Sequence, residues 1–140
     1  TIMKLVEVVH TPFTNPDVLS TTLQLVKQIG KTSVQCSDSP GFIVNRVARP
    51  YYIESLRLIE EQKSNVEQLD RILESTGFKM GPFKLMDLIG NDINFAVSCS
   101  VYEQLGKPER LQPSFIQQQL VQEGKWGKKS GSGYYKYTSS

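Results

Sequence analysis

Glu7 stands in the run Met3-Lys4-Leu5-Val6-Glu7-Val8-Val9, a carboxylate among mostly apolar neighbours. Burying a carboxylate is costly unless it has a partner. Either Glu7 points to solvent from a half-exposed strand, or it orients a histidine and supports it as a general base. His10 is the only histidine. Strand side chains alternate with period 2, so residues three apart face opposite ways, and a direct Glu7–His10 dyad is not expected. His10 reads instead as a surface residue at the strand's end. Asn45 is an amide in the first turn of a mostly apolar helical run. It satisfies backbone groups there, or it hydrogen-bonds a ligand in a cleft. The segment Gly127-Lys128-Lys129-Ser130-Gly131-Ser132-Gly133 has the composition of a phosphate-cradling loop. It has no strand before it and no helix after it, so by itself it reads as a solvated tail. Two cysteines, Cys36 and Cys99, make neither a disulfide framework nor, with one histidine, a metal cluster.

These residues need elements to hold them. The first nine residues read as a strand, apolar enough for a buried sheet. The chain starts without Met and directly in this strand, which suggests a piece of a longer protein. Asn15-Pro16 signals a helix start and Gly30 its stop. Residues 31–36 read as a second strand. The resulting strand–helix–strand unit needs a larger sheet to complete it.

After the turn Asp38-Ser39-Pro40-Gly41 the pattern is helical. A long helix is predicted over 42–62, apolar nearly all round at first and so central in a bundle. Pro50 lies inside it, and Arg57–Glu61 form an i,i+4 pair. Ser64-Asn65-Val66-Glu67 reads as a capping box opening a helix that ends near Gly77. Further helices are predicted over 83–89, 93–105 and 114–123, with Gly90-Asn91-Asp92 as a break. The apolar residues Phe95, Val97, Val101, Phe115, Ile116 and Leu120 exceed what one bundle of this size buries, so a homodimer through the helices is expected.

Composition bounds the function. Net charge is +2, with 39% hydrophobic and 21% charged residues, so nothing marks a nucleic-acid binder or a disordered chain. No apolar run reaches the length of a membrane span and no signal sequence opens the chain. The expectation is a reduced, cytoplasmic protein.

Four motifs occur in order: Met3-Lys4-Leu5-Val6-Glu7-Val8, Pro40-Gly41-Phe42-Ile43-Val44-Asn45-Arg46, Met80-Gly81-Pro82-Phe83, and Gly127 through Tyr135. Together they resemble the C-terminal part of the L-3-hydroxyacyl-CoA dehydrogenase family, over essentially the whole chain. The resemblance implies a mainly α fold. Residues 1–37 would be the last strand–helix–strand of a Rossmann-type NAD domain. Residues 38–140 would be a helical dimerisation domain, like the C-terminal domain of 6-phosphogluconate dehydrogenase. It implies that Glu7 partners a catalytic His lying a short way before Thr1, that Asn45 contacts substrate and that Lys129 reaches towards the cofactor. NAD would be held mainly by sequence upstream of this chain, and the substrate pair would be 3-hydroxyacyl-CoA and 3-oxoacyl-CoA. Asn91 and Tyr134 are mild departures, the Asn91 form resembling a bacterial branch of short-chain or aromatic-acid degradation. Two other functions fit the same motifs: a redox-inactive, crystallin-like structural relative, and a pure dimerisation module.

Overall fold

The computed structural model describes residues 3–137. The chain forms two compact units, Thr1–Arg46 and Val47–Ser140.

In the first unit, β1 (Leu5–His10), α1 (Pro16–Gln28) and β2 (Thr32–Ser37) follow one another. The strands are parallel, with Leu5 opposite Thr32 and His10 opposite Ser37. Thr1 and Ile2, read above as strand, lie outside the described residues. Asn15 caps α1 by accepting from the Asp17 amide at 2.8 Å. Pro16 takes the first helical position, where its missing N–H is no loss. Val8, Val26 and Cys36 form the small buried core, while Met3, Leu5, Val18, Leu25 and Ile29 remain exposed. Among the described residues each strand pairs only with the other, so each leaves one edge open.

The helix predicted from Phe42 begins two residues later. Gly41 (φ 73°) and Phe42 (φ 49°) are consecutive left-handed residues, which no right-handed helix accommodates. α2 therefore runs Val44–Glu60.

In the second unit, the remainder of α2 is joined by α3 (Val66–Ser75), α4 (Pro82–Ile89), α5 (Asn91–Gln104) and α6 (Phe115–Gln122). The core gathers Tyr52, Leu56, Leu69, Phe83 and Met86, with Ala48, Tyr51, Ile116, Tyr134 and Tyr135 packed around it. α2 is not buried all round as expected. Its buried residues include Arg49, Tyr52, Ile53 and Leu56, one stripe at helical spacing, while Val47 is 73% exposed. Arg57 pairs with Glu54 rather than Glu61, because Glu61 lies beyond the helix end.

Two boundaries also move. Asn65, not Ser64, caps α3, accepting from the Gln68 amide at 2.9 Å. Gly90 (φ 104°) is the whole break between α4 and α5, and Asn91 and Asp92 already belong to the first turn of α5. Of the six apolar residues expected on an exposed patch, Val101 is buried, four are half-buried, and only Phe115 is exposed.

Candidate active site

Glu7 is half-buried on β1, and its partner is backbone. Its Oε1 accepts hydrogen bonds from the amides of Ile43 (2.8 Å) and Val44 (3.0 Å). The left-handed pair Gly41–Phe42 turns the chain so that these two amides, at the entry to α2, meet the strand. A carboxylate is well placed there, since helix N-termini carry unsatisfied N–H groups and partial positive charge. Both bonds run to Oε1, and among the described residues Oε2 accepts none. A carboxylate fixed at one oxygen in this way is suited to taking an imidazole N–H at the other.

His10 ends β1, three positions after Glu7, and is half-buried rather than the surface residue expected. Asn45 is the second residue of α2 and is exposed. Cys36 of β2 is buried, and its thiol pKa is raised by that burial first, then by the charges of Glu7 and Asp38.

Lys129 lies in the second unit. Its Nζ stands 2.6 Å from Asp92 Oδ1 and 2.7 Å from Oδ2, at the start of α5, and 5.5 Å from the Trp126 ring centroid. Burial pushes the Asp92 carboxyl up, but the Lys129 hydrogen bond and the Ile93 amide outweigh it, and the net pKa is below 3.8.

The segment around Lys129 is not a solvated tail. It folds back through antiparallel bridges, Gly127 with Ser132 and Ser132 with Lys136. Asp87, fully buried on α4, accepts from the Tyr134 and Tyr135 amides (3.0 Å each), the Tyr137 hydroxyl (2.9 Å) and Asn91 Nδ2 (2.8 Å). Asp70, equally buried on α3, accepts from the Tyr135 hydroxyl at 2.7 Å and from the Phe83 and Lys84 amides. Next to them Gln117 Nε2 donates to Asn91 and Asn94, and Arg49 donates to Ser98 and to the Asn94 carbonyl. None of this polar layer was read from the sequence. The signal was present as Asn91, Asn94 and Ser98 at helical spacing on α5.

These contacts support geometry rather than chemistry. Among the described residues no group of three His, Cys, Asp or Glu could hold a metal ion. No helix among them is long and apolar enough to cross a membrane. The β1–α1 connection contains no glycine and α1 is already capped by Asn15, so these residues form no pyrophosphate cradle for a dinucleotide.

The parallel strand–helix–strand bears the helix-anchored carboxylate of Glu7 and is followed in sequence by an all-helical unit, an arrangement that does not by itself fix a function. Comparison with known proteins narrows the class. The profile described as "3-hydroxyacyl-CoA dehydrogenase, NAD binding domain" matches residues 1–39, and "3-hydroxyacyl-CoA dehydrogenase, C-terminal domain" matches residues 41–137. The chain belongs to the 3-hydroxyacyl-CoA dehydrogenase family. It is 50% identical over 135 residues to 3-hydroxyadipyl-CoA dehydrogenase of Escherichia coli (strain K12), covering 96% of this chain and 28% of the relative. Over 137 residues it is 42% identical to the mitochondrial hydroxyacyl-coenzyme A dehydrogenase of Sus scrofa, covering 97% of this chain and 44% of that one. The crystal structure of 3-hydroxybutyryl-CoA dehydrogenase from Escherichia coli K12 matches with a TM-score of 0.93 at 48% identity, over 99% of this chain and 30% of that one. The chain thus spans less than half the length of these relatives.

Proposed function

We propose that this chain is the C-terminal part of an NAD-dependent 3-hydroxyacyl-CoA dehydrogenase, oxidising 3-hydroxyacyl-CoA to 3-oxoacyl-CoA in acyl-CoA degradation. The observation that carries the reading is the Glu7 carboxylate, fixed at Oε1 by the Ile43 and Val44 amides. In this reading Oε2 takes the N–H of a histidine supplied upstream, keeps it in one tautomer and stabilises its charged form. Asn45, exposed on the first turn of α2, binds the substrate's oxygen atoms. NAD is held mainly by sequence outside this chain, a reading that the glycine-free β1–α1 turn supports, and Lys129 serves the cofactor side from its pairing with Asp92. The two parts divide at 37/38, the first completing the NAD domain's sheet and the second serving substrate binding and homodimerisation. The setting is a reducing compartment, the cytoplasm in a bacterial host.

The test is Glu7→Gln in the longer protein that carries this chain. The variant is expected to lose about 100-fold in kcat, the scale of general acid–base catalysis. A loss under about threefold, against that same scale, would sink the role of Glu7 in the dyad, whereas a parent without dehydrogenase activity would favour the redox-inactive, crystallin-like alternative.

A further inference from the structure

The two amides that meet Glu7 come from a turn built against backbone preference. Phenylalanine rarely adopts positive φ, and a residue held there costs free energy that its surroundings must offset. Side-chain burial does not account for it, since Phe42 is 38% exposed. What the turn achieves is aim: the next two N–H groups, at Ile43 and Val44, converge on one carboxylate oxygen at 2.8 and 3.0 Å.

Resting on the reading of Glu7 above, we propose that the main-chain amides of Ile43 and Val44 are positioning groups for the catalytic base, acting through Glu7. By occupying Oε1 they select Oε2 as the oxygen presented to the histidine. By donating to the anion at a helix N-terminus they also temper its charge. A tempered carboxylate stabilises the imidazolium less, so the base stays neutral to lower pH. Removing one amide therefore strengthens the pull of Glu7 on the imidazolium and raises the pH below which the base is protonated. Among the described residues, Cys36 on β2 feels the charges of Glu7 and of Asp38 in the following turn, and Cys36 and Asp38 stay constant in the test.

The experiment replaces Val44 by its α-hydroxy acid analogue in the full-length dehydrogenase. This deletes one N–H and keeps the side chain. The same exchange at Leu58, an exposed position in the body of α2, controls for the loss of a backbone hydrogen bond. The Val44 ester is expected to lower kcat about tenfold, the effect of one hydrogen bond to a charged group. KM should be nearly unchanged and the acid limb of kcat/KM should move to higher pH. The Leu58 ester is expected to lower the melting temperature with rate and pH profile intact. Val44→Pro, which suits a first helical position, gives a second route to the same deletion. An unchanged kcat and acid limb in the Val44 ester, with Glu7→Gln still impaired, would overturn this inference alone. So would a lower melting temperature and kcat with no movement of the acid limb. A near-normal rate in Glu7→Gln would overturn the underlying reading instead.

Discussion

Each oxygen of Asp87 accepts two hydrogen bonds: Oδ1 from Asn91 and the Tyr134 amide, Oδ2 from the Tyr135 amide and the Tyr137 hydroxyl. Four donors satisfy a buried anion that has no cationic partner among the ion pairs of the described residues. Asparagine at this site keeps one acceptor and turns an NH2 towards two donors. Asp87→Asn is therefore expected to cost about 2–4 kcal/mol, as for other buried charged groups left mismatched. Urea unfolding measures it. The Lys129–Asp92 pair makes a different, pH-dependent contribution. Asp92 titrates below its ordinary 3.8, so its stabilisation is complete above that pH and fades as pH falls through the lower folded value. The urea midpoint of the parent should exceed that of Asp92→Asn at pH 6, and the gap should close in strong acid. These residues also mark what single-residue reading found and missed. Glu7 stood out because a charge inside a β-branched run is rare, and what the structure adds is its pair of amide donors. Asp70 and Asp87 did not, because an acid on a short amphipathic helix looks solvated until the tyrosines that reach it, 48 positions along for Tyr135 and Asp87, are known.

At the scale of elements, local chemistry decided most boundaries. Asn15-Pro16, Gly30 and Ser114 act where their types suggest, and α1 and α6 sit within two residues of expectation. Two failures have specific causes. Ser64 and Asn65 are both capping residues, and only the hydrogen bond from the Gln68 amide to Asn65 Oδ1 decides between them. Asn65→Ala should cost about 1 kcal/mol and Ser64→Ala less, since the cap bond belongs to Asn65. Thermal melts of the two variants compare them directly. The start of α2 was misjudged because Phe42 is apolar and fits a helical period, whereas its φ of 49° is imposed by the turn that brings two amides to Glu7. A side-chain pattern carries no information about such a backbone demand.

At the scale of the whole chain, large apolar residues are exposed in both units. The second unit exposes Val47, Leu88, Ile93, Phe115 and Trp126, each at 40% or more. These faces are the motive for a homodimer, and sedimentation equilibrium should give a mass near twice 15.8 kDa. A monomer at tens of micromolar would assign the faces to the remainder of the dehydrogenase instead. The all-helical unit and the strand–helix–strand were both legible from periodicity and turn residues. The packed C-terminal segment was not, since Gly-rich, basic composition is the same whether the segment is solvated or folded back on two buried acids.

That folded-back segment sets an order of events during synthesis. α4 carries Asp87, but three of the four donors that satisfy it belong to Tyr134, Tyr135 and Tyr137. Glycines are required along the return path, because a Cβ at Gly127 or Gly133 would fall on Asp87 itself. A nascent chain stalled on the ribosome before residue 134 would hold an Asp87 with only its Asn91 donor and a Phe83 without Tyr134, whose ring packs on it at 4.9 Å. Closure of the second unit in this sense waits on residues made 47 to 50 positions after the acid they satisfy.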